Sequence, residues 1–176
     1  AYGLGRKADL WVQVVKPARR EAGKIALRAG SADIIVSDWL WVSRERTLGA
    51  KLTFYPYSSA LGAVMVPASS PIQTLADLKG RKLAVAGGPI DKNWLLLQAF
   101  LKQGGIDLKS DATIAYGAPP LLMAKTLGGE MDATLNYWNF CAVMEAKGFR
   151  RVAGIEDLLP KLGARGRTAM IGYVFD

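Results

Sequence analysis

Short unbroken apolar runs alternate along the chain with stretches in which apolar residues recur every three or four positions, and glycine or proline separates most of them. Unbroken runs of this length suit strands buried on both faces of a sheet, while the longer period suits helices packed by one face. The clearest case is Lys82 to Gln103. Leu83, Ala84, Val85 and Ala86 predict a buried strand, Gly87-Gly88 a turn, and Pro89 the first turn of a helix, with Asp91 capping or lying within that turn. Leu97, Phe100 and Leu101 then share one stripe until Gly104-Gly105 stops the helix. Such a turn aims free backbone N–H groups and the positive end of the helix dipole at one spot, a place for part of a ligand. Two glycines alone equally suit an ordinary strand-to-helix connection.

The same reading extends in both directions. Leu10 to Val15, rich in β-branched residues, predicts a strand closed by Pro17. A helix follows, with Ala22, Ile25, Ala26 and Ala29 on its apolar face, Arg19, Glu21, Lys24 and Arg28 on its wet face, and Gly30 as its stop. Ile34-Ile35-Val36 predicts a buried strand emptying into Ser37-Asp38-Trp39, then a helix over 40–48. Strands are expected at 52–57 and 61–66, and Pro67 to Pro71 has linker composition. Thr74 and Asp77 have capping-box spacing in a short helical turn. Beyond Lys82, strands are predicted at 113–116, 132–135, 150–153 and 168–175, with helices at 119–127 and 139–147. This alternation predicts an α/β protein with open, mostly parallel sheets and flanking helices.

Two segments echo each other. Gly30-x-x-Asp33, a strand, then Ser37-Asp38-Trp39 matches Gly129-x-x-Asp132, a strand, then Asn136-Tyr137-Trp138. Ligands of open α/β sheets bind beyond the carboxyl ends of the strands, which is where both polar-aromatic clusters fall. Coincidence in a short pattern is the competing account of the match. Trp39, Trp41, Trp94, Tyr137 and Trp138, with Asp38 and Asp91, would suit a cationic or flat heteroaromatic ligand by stacking and cation–π contact. Ordinary core packing explains such rings too, Trp94 above all.

Composition narrows the chemistry. The 176 residues are 51% hydrophobic, enough for a substantial core, and no apolar run approaches a membrane span. Net charge is +8, but the doublets Arg19-Arg20 and Arg150-Arg151 are not interleaved with aromatics, so no nucleic-acid track is expected. There is no histidine, which excludes Ser-His-Asp and Cys-His catalysis and histidine-ligated metal. The single cysteine, Cys141, excludes an intrachain disulfide and reads as a small packed hydrophobe.

These stretches, with Ser70-Pro71-Ile72-Gln73-Thr74-Leu75-Ala76-Asp77-Leu78-Lys79-Gly80-Arg81-Lys82-Leu83-Ala84-Val85, resemble the solute-binding proteins of ABC importers. The nitrate, sulfonate and taurine-type receptors and the thiamine-pyrimidine-precursor binders are the similar branches. The resemblance implies a two-lobed, type 2 periplasmic-binding-protein-like fold with a cleft between lobes that close on ligand. The first lobe would comprise 1–68 and 168–176, incomplete at both ends, with a hinge at 69–79 and the second lobe at 80–167. It implies ligand contacts at Ser37, Gly87, Gly88 and Asn136; the echo adds Asp38, Trp39, Tyr137 and Trp138, and the turn adds Asp91. The chain departs from anion-binding relatives at Pro89-Ile90-Asp91, where a carboxylate would compete with a sulfonate for the same donors.

The expected role is therefore that of a monomeric periplasmic receptor. It would deliver a sulfonate-like anion or a flat heteroaromatic compound to the permease subunits of an ABC transporter, with no catalytic residue, cofactor or metal. A ligand-sensing domain of a transcription regulator is the alternative, and it would need a DNA-binding segment. A pyrimidine-precursor enzyme on the same fold is disfavoured by the missing histidine.

Overall fold

A computed structural model describes residues 4–15, 20–166 and 168–176. After a short helix α1 (Leu4–Lys7), the chain forms α2 (Arg20–Arg28), β1 (Ile35–Asp38), α3 (Trp39–Thr47) and β2 (Thr53–Ser58). It then forms β3 (Ala63–Pro67), β4 (Lys82–Ala86), α4 (Lys92–Gln103), α5 (Leu108–Asp111) and β5 (Thr113–Gly117). Next come α6 (Pro119–Leu127), β6 (Ala133–Asn136), α7 (Trp138–Glu145), β7 (Phe149–Gly154) and finally β8 (Ile171–Phe175).

The strands make two sheets, one of three strands ordered β1-β8-β2 and one of five ordered β5-β4-β6-β3-β7. In the larger sheet β4 is parallel to β5 and β6, while β3 is antiparallel to β6 and β7, so β3 alone runs against the rest. In the smaller sheet β8 is antiparallel to both neighbours and is likewise the one reversed strand. Each reversed strand is the one by which the chain enters from the other sheet: β3 follows β2, and β8 follows β7.

Strand alternation sorts the larger unit's core. Val64, Val66, Leu83, Val85 and Leu135 face Trp94, Leu97 and Leu101 on one side. On the other side Ala84 and Ala86 meet Leu122 and Met131, and Ala63 and Met65 meet Cys141 and Met144. Both faces are covered, which is why these strands carry few polar residues. The smaller sheet packs on one face only, through Leu27, Trp41, Val42, Leu52 and Val174. Thr74 and Asp77 form the expected capping box on the short turn Leu75–Leu78.

Several expectations need correction. Leu10–Val15 forms no strand: a strand needs a ladder partner, and among the described residues this segment has none, with Trp11 97% exposed. Pro17 and Arg19 lie outside the described residues. On α2 the buried side chain is Leu27, and Ile25 is exposed, because the helix turns Leu27 toward Trp41 and Val174. Ile34 and Val36 are exposed, since β1 is an edge strand covered on one face. Pro89 sits in a turn ahead of α4, whose N-cap is Asp91. Finally, the apolar run 61–66, expected with the first lobe, supplies β3 to the five-stranded sheet, so the passage between sheets precedes the Pro67–Pro71 stretch.

Candidate functional site

The second copy of the echo builds a compact polar cluster. Asn136 ends β6 fully buried, its Oδ1 accepting from the Tyr137 N–H at 2.9 Å and its Nδ2 donating to the Pro119 carbonyl at 3.1 Å. The Tyr137 hydroxyl donates to Asp91 Oδ2 at 2.9 Å, and Asp91 Oδ1 accepts from the Asn93 N–H at 2.9 Å, capping α4. Gly87 sits against both: a Cβ there would lie 2.2 Å from the Tyr137 hydroxyl and 2.7 Å from Asp91 Oδ2, at a φ of +89°. Only glycine fits. Gly87, Asp91, Asn136 and Tyr137 are thus brought together, with Gly88 next in the turn and the Trp138 ring exposed at the start of α7. Both Asp91 oxygens accept hydrogen bonds within the protein, Oδ1 holding the turn and Oδ2 bracing Tyr137.

The first copy lies on the other sheet. Asp38 accepts from the Trp41 N–H at 2.9 Å and caps α3, as Asp91 caps α4. Ser37 is buried opposite Gly172, and its hydroxyl is without a hydrogen-bond partner among the described residues. Trp39 is 37% exposed; its backbone N–H donates to the Met170 carbonyl at 3.3 Å and its indole N–H points at Met170 Sδ, 2.8 Å away. A cavity of about 520 Å³ opens beside it, lined by Trp39, Val42, Ser43, Arg46, Thr47 and Phe54. Its lining holds none of the other eight candidates.

Register relates the clusters. Asp38, last in β1, pairs with Ile171, first in β8; Asn136, last in β6, pairs with Ala63, first in β3. Each carboxyl end therefore abuts a strand that has just crossed from the other sheet, and both clusters stand where the chain passes between sheets. Gly30 and Gly129, which open the two copies, share positive φ values of +68° and +78°.

Sequence reasoning missed four residues here. Lys92 is buried with its Nζ 5.4 Å from the Tyr137 ring centroid. Asn93 is buried and holds the Gly62 N–H. Gly62 and Met170 lie on the two passages between sheets. Asp91-x-Asn93 at a helix start was the one legible signal among them.

Burial pushes the Cys141 thiol up to about 11, so the only cysteine is protonated and unreactive at neutral pH. Among the described residues no group of three His, Cys, Asp or Glu side chains could hold a metal ion. Arg150 donates to the Ser70 and Ile72 carbonyls, and Arg151 pairs with Glu145 and Glu156, so this basic doublet is spent on the fold.

Comparison with solved structures bears on this geometry. The periplasmic aliphatic sulphonate binding protein SsuA from Escherichia coli superposes with a TM-score of 0.75 at 24% identity, over 98% of this chain and 57% of that one. The alkanesulfonate-binding protein SsuA from Xanthomonas axonopodis pv. citri, bound to MOPS, gives 0.73 at 23% identity, over 97% and 57%. The ligand-binding component of an ABC-type import system from Staphylococcus aureus gives 0.70 at 14% identity, over 94% and 55%. The chain spans little more than half the length of these proteins, and over that span it has their two-lobed, type 2 periplasmic-binding fold. No curated protein matches it in sequence. The family model described as NMT1/THI5 like matches residues 3–161, nearly the whole chain, and the protein belongs to that family.

Proposed function

We propose that this chain is the ligand-gripping portion of an extracytoplasmic receptor that hands a small solute to an ABC importer. The observation that carries the reading is the repeated unit of glycine turn, strand and helix, one copy per sheet, each strand ending where the chain crosses between sheets. A solute held between Trp39 on one side and Trp138 on the other would bridge the two sheets, and both rings have exposed surface for it. Asn136 and Asp91 shape the wall, through Tyr137, rather than touching solute. The sulfonate reading is supported by the SsuA proteins in the comparison, which bind sulfonates, and not by the α4 end, where the Asp91 carboxylate already takes the Asn93 N–H. A sulfonate carrying an apolar or aromatic body is the ligand class we assign.

Thermal shift across alkyl and aryl sulfonates, nitrate, amines, pyrimidines and aromatic acids tests it, since a ligand bound only by the folded state raises Tm by mass action. A sulfonate is expected to raise Tm, and Trp39→Ala and Trp138→Ala to abolish the shift while the apo Tm stays near the parent's. A response confined to amines or pyrimidines would overturn the ligand class. A sulfonate shift retained in both variants would overturn the site.

A further inference from the structure

The passage from β2 to β3 ends at Gly62, which is held on three sides. Its N–H donates to Asn93 Oδ1 at 3.1 Å, its carbonyl accepts from the Ile155 N–H at 2.9 Å, and a Cβ there would lie 2.0 Å from the Asn136 carbonyl oxygen. Leu61, just before it, is buried in the larger core, whereas Ser58, Ser59 and Ala60 are half-buried. Asn93 is itself 1% exposed and sits in the first turn of α4, where its own N–H is held by Asp91. A buried side-chain amide whose oxygen is spent on a backbone N–H of a connecting segment is costly to desolvate unless it fixes something.

We propose that Asn93 is a positioning residue that pins the passage to the α4 end, so that the two sheets turn about Ser58–Ala60 and the turn at Asp91 is mechanically joined to that pivot. Asp91, Asn93 and Gly62 form one hydrogen-bonded chain, Asp91 Oδ1 to the Asn93 N–H and Asn93 Oδ1 to the Gly62 N–H. Any group that displaces the α4 end moves Gly62 with it. The consequence for ligand rests on the receptor reading above, but the pin itself does not.

Spin labels at Arg44→Cys on α3 and Lys109→Cys on α5 report the distance between the two units, with Cys141 buried and left unlabelled. Asn93→Ala is expected to broaden the distance distribution, and Asn93→Asp, which keeps the acceptor, to restore the parent's. Identical distributions for parent and Asn93→Ala overturn the proposal. Amide exchange in the unsubstituted protein gives a second reading that holds even if Asn93→Ala does not fold. The Gly62 N–H is expected to exchange on the order of 10-fold or more slowly than that of Ser59. Equal rates overturn the pin. Neither measurement uses ligand, so a failed sulfonate screen and a failed pin are separate results.

Discussion

The five-stranded unit and the three-stranded unit use the same local grammar and reach different degrees of burial. In the larger, β3, β4 and β6 are almost wholly buried because helices cover both faces. In the smaller, β8 alternates between packed and exposed positions and β2 is mostly exposed, and Tyr55, Tyr57 and Tyr173 stand on the open face, the last two with ring centroids 4.8 Å apart. One core is a continuous cluster from Leu61 to Met170; the other joins one face of a short sheet to two helices. Cooperative stability follows buried apolar contact, so the larger unit should be the last to open and the smaller the first.

The largest effect that tests this contrast is at Trp94. It is fully buried at the centre of the larger core, edge-on to Tyr116 with centroids 6.2 Å apart. Trp94→Ala is expected to cost about 3–5 kcal/mol, measured by urea denaturation. Its indole N–H has no hydrogen-bond partner among the described residues, so Trp94→Phe loses only packing and should cost much less. Equal losses for the two variants would mean that the indole N–H has a partner that contributes to stability.

A step down in size, Leu27→Ala removes the side chain by which α2 seats against Trp41 and Val174, and should cost about 3 kcal/mol. The loss should be local. Amide exchange is expected to accelerate in α2 and β1 while β4 and β6 keep the parent's protection. If β4 accelerates equally, the two units open together and the contrast between them fails.

How far the sequence revealed each unit follows from the same difference. Leu83–Ala86 and the apolar run at 63–66 were readable because a strand covered on both faces must be apolar throughout. Leu10–Val15 has the same composition without a ladder partner among the described residues, and composition cannot report pairing. Ile25 and Leu27 both fit a helical stripe, and only the placement of Trp41 decides which is buried. In the site, the glycine turn and the echo were legible as local patterns. The use of Asp91 as cap and brace was legible only in part, since its capping role is local but its bond to Tyr137 spans 46 residues. Asn93 with Gly62 was invisible for the same reason.

The smallest effect is a pH dependence confined to the alkaline side. Cys141 is buried among Ala63, Met65 and Met144 and points its thiol at the Asn136 carbonyl, 3.3 Å away; burial raises its pKa from about 9 to about 11. The unfolded chain therefore ionises the thiol at lower pH than the folded chain does. The sign follows: stability from the buried neutral thiol is whole below about pH 9 and is lost as pH rises toward about 11, by about 2 to 3 kcal/mol at most. Lysines and tyrosines titrate in the same range, so the measurement is the difference between parent and Cys141→Ala. That difference should be flat from pH 6 to about 8.5 and then shrink as alkali removes the parent's advantage. A difference that stays constant to pH 11 would mean that the thiol ionises in the folded protein as readily as in the unfolded one. Cys141 would then lie at an opening into the larger core, against the contrast drawn between the two units.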